Sequence, residues 1–252
     1  MRAGQAMSEA REPLLFVPGM MCDARLFLPQ IIAFSGERAV HVASITRAET
    51  VGEMAGQVLE AAPGRFALAG LSLGGIVAME IIRQAPERVT RIALMDTNAQ
   101  AEPPPVAAAR EPQIVGVMAG RLEEVMAEVM RPEYLAPGPY RMDILQMMTE
   151  MALELGEGVF VRQSRALQRR PDQQATLRNI RVPALVLCGE HDGLTPVRRH
   201  DFMAGLIPQA MLRIIPDAGH LPTLEQPGAT IRALREWLAA PGIRRPRRVG
   251  FR

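Results

Sequence analysis

The feature that most constrains this chain is the run Gly70-Leu71-Ser72-Leu73-Gly74, followed at once by Gly75. A short apolar segment of strand character, Phe66–Ala69, precedes it, and a run with helical spacing from Ile76 to about Gln84 follows. A chain that passes from strand to helix in so few residues needs glycine wherever the two elements approach. The turn leaves one side chain, Ser72, at its apex.

Further strands are predicted at Leu14–Val17 (between Pro13 and Pro18-Gly19), Val40–Val42, Arg91–Met95, Ala184–Cys188 and Met211–Ile215. Helical patterns fall at 24–33, Thr50 to Ala61, Val197–Leu206 and Thr230–Ala239. Thr50 is the predicted N-cap of the second of these, with Glu53 completing a capping box and Pro63-Gly64 ending the helix. This alternation predicts an α/β protein with a mainly parallel sheet and helices on both faces. From 101 to 178 the texture changes, opening on Pro103-Pro104-Pro105 and then reading as helix without a strand. The segment is too long for a simple crossover, so it is read as a helical cap over the C-terminal ends of the strands, where open α/β sheets bind ligands. The predicted organisation is a core of 12–100 and 179–240, a cap of 101–178, and flexible termini at 1–11 and 241–252.

Composition narrows the chemistry. With 48% hydrophobic and 22% charged residues in 252, the chain can bury one ordinary globular core. All 29 basic residues are arginine, which removes lysine Schiff-base chemistry and the lysine of a phosphate loop. Five of them (Arg244, Arg245, Arg247, Arg248, Arg252) crowd into the last twelve residues, leaving 24 basic against 27 acidic elsewhere. The body therefore carries no basic surplus for a nucleic-acid partner. No run is long and apolar enough for a bilayer, and no apolar stretch of secretory type precedes Leu14. A cytoplasmic protein without a membrane partner is expected; self-association into a homo-oligomer is left open. Cys22, Cys188 and four dispersed histidines give neither a disulfide framework nor metal-ligand spacing, so no metal and no cofactor are expected.

A serine hydroxyl becomes a useful nucleophile only beside a base. His41 falls in a strand and reads as a packed or edge residue. His200, flanked by Arg198, Arg199 and Asp201, reads as part of a solvated helix face. His191 adjoins Asp192, which suits a role there better. His220 follows Gly219 in the loop after the last strand and is the candidate base. The carboxylate that orients it is Asp192, after Ala184–Cys188, with Asp96, after Arg91–Met95, as the alternative acid; Glu190 and Asp217 read as surface or hydrogen-bonding residues. The order serine, acid, base is that of the strand–turn–helix nucleophile rather than of other serine triads. Oxyanion donors are expected from the backbone N–H of Leu73, at a helix start, and of Met20, after the first strand, with Gly19 permitting a close approach.

Four segments carry a resemblance: Leu14-Leu15-Phe16-Val17-Pro18-Gly19-Met20, the Ser72 turn, Gly189-Glu190-His191-Asp192, and Pro216-Asp217-Ala218-Gly219-His220. In this order, spanning 14 to 239, they resemble the α/β-hydrolase superfamily in its small esterase/enol-lactonase-like branch. The resemblance implies an α/β-hydrolase fold trimmed to start at the third strand of the full fold, with the cap inserted after the sixth. It also implies catalytic roles for Ser72, Asp192 and His220 and oxyanion roles for Met20 and Leu73. Pro18 departs from the pattern, standing where many relatives have histidine. The implied reaction is acyl transfer from a small carboxylic ester or lactone through an acyl-enzyme. A C–C bond hydrolase or lyase with the same triad, or a catalytically silent binding protein on the same fold, remain as alternatives; serine at 72 argues against dehalogenases, whose nucleophile is a carboxylate.

Seven of the 16 methionines lie in 101–178. Met118, Met126, Met130, Met147 and Met148, with Met21 and Cys22, are the expected walls of a modest, mostly apolar acyl or ring pocket; Met142 and Met151 are further candidates. Arg121, Arg131, Arg162 and Arg165 leave room for a carboxylate on the substrate.

Overall fold

The structure, a computed structural model, describes residues 11–242. The expectations for 1–10 and for the arginine-rich tail fall outside those residues. Six strands, β1 (Leu14–Val17), β2 (Val40–Val42), β3 (Phe66–Leu71), β4 (Val89–Met95), β5 (Ala184–Gly189) and β6 (Ala210–Ile215), form one sheet in the order β2-β1-β3-β4-β5-β6. All its pairings are parallel. Helices α1 (Leu28–Ser35), α2 (Val51–Ala61) and α3 (Leu73–Gln84) join the first strands. Five more lie between β4 and β5: α4 (Pro104–Met118), α5 (Leu122–Val129), α6 (Arg141–Leu155), α7 (Glu157–Gln168) and α8 (Gln174–Arg178). The chain closes through α9 (Val197–Leu206), α10 (Pro222–Glu225) and α11 (Pro227–Ala239).

Successive strand residues point to opposite faces, and each face here finds its own layer. Leu15, Val17, Phe66, Leu68, Ile92 and Leu94 pack with α2, α3 and α9. The alternate residues Leu14, Phe16, Ala67, Ala69, Ala93 and Met95 pack with Phe27, Phe34 and Trp237. Trp237 is fully buried and its indole N–H donates to the Pro183 carbonyl at 3.2 Å, so its one polar atom is satisfied. Thr50 caps α2 by accepting the Glu53 N–H at 3.2 Å; Glu53 returns to the Thr50 hydroxyl at 2.9 Å rather than to its backbone. The helix predicted over 24–33 begins instead as a 3-10 turn, Ala24–Phe27, capped by Asp23, and becomes α-helical at Leu28, where Pro29 fits the first turn.

The helical segment between β4 and β5 is tied into the body in two ways. Met130, Leu135, Met148 and Met151 enter the core that holds Phe16 and Trp237. Ile114, Val117, Val125, Met126 and Phe160 form a smaller cluster closed by Met21 from the loop after β1. Among the described residues no helix is long and apolar enough to cross a membrane.

Three glycines of the turn between β3 and α3 leave no room for a Cβ, Gly75 against the Thr97 side chain and Gly70 and Gly74 against backbone. A Cβ on Gly74 would lie 2.0 Å from the Val17 carbonyl oxygen, and one on Gly70 would lie 2.2 Å from the Gly74 carbonyl oxygen. Both obstacles are backbone, which has nowhere to move. Gly19 differs from its expected role: a Cβ there would make ordinary contacts of 3.5 Å with the Leu71 carbonyl oxygen and the Ser72 Cβ. The closeness of β1 to the turn is therefore permitted from the α3 side. Gly74→Ala is expected to destabilise the fold by about 3 kcal/mol or more, whereas Gly19→Ala should stay within about 1 kcal/mol. Urea unfolding of both variants checks this, and equal midpoints would refute it.

Candidate active site

β1 lies between β2 and β3, so the chain leaves β1 toward one side of the sheet and returns on the other. The crevice at that switch, beyond the carboxyl ends of β1 and β3, is where parallel sheets accept ligands. Ser72 stands there with φ 56° and ψ −118°, in the left-handed half of backbone space. Such a conformation costs about 1–3 kcal/mol and persists only if its surroundings fix it. Here the Ser72 N–H donates to the Met95 carbonyl at 2.9 Å, and the Ser72 carbonyl accepts from the Thr97 hydroxyl at 2.7 Å and the Gly75 N–H at 2.9 Å. Met21, Asp96 and Asp217 also have positive φ, in the segments after β1, β4 and β6. Four of the five side-chain-bearing residues with positive φ thus follow the carboxyl ends of strands; the fifth, Gln209, precedes β6.

The structure brings three distant loops together. His220 Nε2 is 3.1 Å from Ser72 Oγ, and its Nδ1 is 3.0 Å from Asp192 Oδ2. His220 and Asp192 are almost fully buried. Asp192 Oδ1 accepts the N–H groups of Leu194 and Thr195, both at 2.8 Å, and Oδ2 accepts the Thr195 hydroxyl at 2.5 Å. Burial opposes the charge on Asp192, but the positive form of His220 and these hydrogen bonds outweigh it and hold the carboxyl well below the usual range.

Asp96 lies just behind this group without reaching His220. It is fully buried, and its Oδ1 accepts the Gly189 N–H at 2.9 Å. Burial first, and the negative charge of Asp192 second, push its carboxyl well above the ordinary value. Two neighbouring carboxyls are thereby pushed in opposite directions, Asp192 toward its charged form and Asp96 toward its uncharged one. Cys188 joins them within 4.8 Å, the spacing of a cation cage. The donor set does not suit one: both Asp192 oxygens are occupied, and burial pushes the Cys188 thiol up.

Met20 and Leu73 both line the same cavity as Ser72, and the backbone N–H of neither has a hydrogen-bond partner among the described residues. Their loop is held from a distance by a residue that sequence reading passed over. Gln163 of α7, fully buried, accepts the Met21 N–H at 2.8 Å and donates to the Ile45 carbonyl at 3.2 Å. Glu225 is a second such residue. Its Oε2 accepts the N–H groups of Gly219 and Ala136 at 2.9 and 2.7 Å, and its Oε1 accepts the Leu221 N–H at 2.8 Å. One carboxylate therefore clamps the backbone on both sides of His220, while the His220 N–H donates to the Tyr134 carbonyl at 2.8 Å.

The other histidines separate as follows. His41 is exposed on the edge strand β2, and His191 is exposed beside Glu190. His200 is a correction: it is fully buried, not on a solvated face. Its Nε2 accepts the Thr97 N–H at 2.9 Å, and burial pushes its pKa down to about 4, so the neutral ring braces the segment after β4. The helical spacing His200, Met203, Ile207 was the available signal, masked by charged neighbours.

The cavity measures about 340 Å³. Cys22, Met126, Met130 and Met148 line it as expected. Met21 packs instead into the cluster around Phe160, Met147 packs against the core on the Trp237 face, and Met118 points into solvent at 70% exposure. Met142 is likewise exposed, and Met151 is buried with its sulfur accepting the Asp23 N–H. Arg121, Arg131, Arg162 and Arg165 do not line the cavity. Arg162 donates to the Thr46 carbonyl and Arg165 pairs with Glu111.

Comparison with known proteins identifies the family. A family model described as the alpha/beta hydrolase family matches residues 14–233. The chain is 25% identical over 197 residues to a pimeloyl-[acyl-carrier protein] methyl ester esterase of Nitrosomonas europaea, covering 71% of this chain and 73% of the relative. It is also 25% identical over 272 residues to a biotin biosynthesis bifunctional protein of Teredinibacter turnerae, covering 95% of this chain and 47% of the relative, so it spans about half the length of that protein. A thermophilic esterase from Thermogutta terrifontis with malate bound superposes with a TM-score of 0.83 at 28% identity, over 91% of this chain and 90% of the other. The enol-lactonase of Burkholderia xenovorans LB400 superposes with a TM-score of 0.79 over 94% of both chains, and at 20% identity its likeness concerns the fold alone.

Proposed function

The chain belongs to the alpha/beta hydrolase family as an esterase-like member, and we propose that it cleaves a small carboxylic ester or lactone through an acyl-enzyme on Ser72. The observation that carries this reading is the hydrogen-bonded series Ser72–His220–Asp192 bordering a cavity. Ser72 Oγ attacks the carbonyl carbon while His220 Nε2 takes its proton. Asp192 stabilises the resulting imidazolium and keeps the ring in the tautomer that presents a bare Nε2 to the serine. The Met20 and Leu73 N–H groups receive the carbonyl oxygen as its negative charge develops. His220 then returns the proton to the leaving alcohol, the ester C–O bond breaks, and water activated by the same nitrogen releases the acid. Cys22 does not compete as nucleophile, because burial pushes its thiol up and keeps it protonated.

Residues 101–178 act in this reading as the cap, which contributes Met126, Val129, Met130 and Met148 to an apolar wall beside Ser72. A cavity of about 340 Å³ suits a short acyl chain or a small ring. Rates on p-nitrophenyl esters of increasing acyl length, together with a few lactones, test the proposal. The expected result is a burst of p-nitrophenol equal to the enzyme present, with an optimum at short acyl length. Release of product from β-diketones but from no ester would transfer the same residues to C–C bond cleavage, and inertness toward both would leave a binding protein.

A further inference from the structure

The proposed chemistry leaves one part of the cavity wall without a role. Where α4 begins, α7 ends and α9 passes, the wall is lined by three arginines, Arg110, Arg170 and Arg199, and by one acidic residue, Glu102. Glu102 is buried, with 2% of its side chain exposed. Arg110 clasps both its oxygens, through Nε at 2.6 Å and Nη2 at 2.9 Å. Arg170 Nη1 donates to Glu102 Oε1 at 3.0 Å, and its Nε donates to the Gln100 carbonyl at 3.0 Å. A single arginine already balances Glu102. The second and third are surplus, and the lining holds no other acid.

The surplus is costly. Arg170 has only 9% of its side chain exposed, and a buried cation without a matching anion is expensive unless something pairs with it. Burial and the neighbouring Arg110 and Arg199 depress its pKa against the opposing pull of Glu102, yet arginine does not deprotonate to escape. Arg170 Nη2 and the whole guanidinium of Arg199 have no acceptor among the described residues. Both arginines line the cavity that Ser72 lines.

We propose that Arg170 and Arg199 form an anion subsite for a carboxylate carried by the substrate, so that the preferred ester or lactone bears a second, negatively charged group on the portion held in the cavity. The inference rests on the ester reading for the bond that is broken, and it adds the substrate class. Planar guanidinium donors match the two oxygens of a carboxylate, and the partial exclusion of water strengthens the pairing.

Monomethyl esters of linear dicarboxylic acids, compared with methyl esters of the equally long monoamides, test it. At the best chain length kcat/KM should favour the carboxylate by about 10- to 100-fold, with the preference shrinking as salt rises. Arg199→Gln should bring the ratio toward one. Arg199 carries the test because it is only half-buried and unpaired; Arg170→Gln, whose removal also loosens Glu102, is the supporting variant. A ratio near one at every length, or one that survives both substitutions, overturns the proposal. A second measurement does not depend on turnover: calorimetric binding of the free dicarboxylates and of the corresponding diamides to Ser72→Ala. Dicarboxylate binding lost in the arginine variants, without ester cleavage by the parent, keeps the subsite and refutes the ester reading. Ester cleavage without charge preference does the reverse.

Discussion

Ser72→Ala is expected to lower ester turnover by about 10⁴-fold or more, to abolish the burst, and to end labelling by a fluorophosphonate. The fold should be untouched, because the lost hydroxyl makes one side-chain hydrogen bond, to His220, while the bonds that hold the turn come from the Ser72 backbone. Alanine also inherits the φ of 56°, so the strain remains. Ser72→Gly removes it and should be more stable than the parent by about 1 kcal/mol, while being equally inactive. Two dead variants with different unfolding midpoints would identify the strain as the cost of aiming the hydroxyl. Parental turnover by either one would remove Ser72 from the reaction.

The second large effect separates two carboxyls that the sequence leaves in competition. Asp192→Asn should cut the rate by about four orders of magnitude, because an amide facing His220 Nδ1 no longer holds the ring in the required tautomer. Asp96→Asn should do far less, since Asp96 makes no bond to His220, burial already favours its uncharged form, and asparagine can still accept the Gly189 N–H. Stability should respond in the opposite sense. The folded-state pKa of Asp96 is raised above its unfolded value, so the unfolded chain gives up that proton first and stability falls as pH rises between the two. Asp96→Asn removes this loss and should gain stability over the parent above the unfolded pKa of about 3.9, with no gain below it. Asp192 is lowered, so its contribution is present above its unfolded value and disappears as pH falls. Thermal unfolding from pH 3 to pH 8 measures both; a reversed ranking of rates would make Asp96 the acid.

Much of this arrangement was readable from the chain because its determinants are local. Short continuous apolar runs such as Leu14–Val17 and a glycine-flanked serine between strand and helix are written in a few adjacent residues. The order of Ser72, Asp192 and His220 follows from which strand each one ends. What stayed hidden is decided by packing between elements far apart in sequence. Met118 and Met126 lie two turns of sequence apart, yet one meets solvent and the other the cavity, a difference set by how α4 and α5 cross. Gln163 and Glu225 hold backbone loops through contacts of 142 and 89 residues' separation, which no local pattern announces. Arg170 and Arg199 looked like two among many arginines until the end of α7 placed the first beside Glu102.

In the proposed reading, with residues 101–178 as the roof, the bond from the His220 N–H to the Tyr134 carbonyl, with Glu225 bridging Gly219 and Ala136, ties that roof to the catalytic histidine. Grafting a foreign roof onto this sheet to change its appetite would therefore also unpin the imidazole, and such a chimera would lose speed together with selectivity. Engineering that keeps the short 134–136 passage and redraws only the helices around it avoids that penalty.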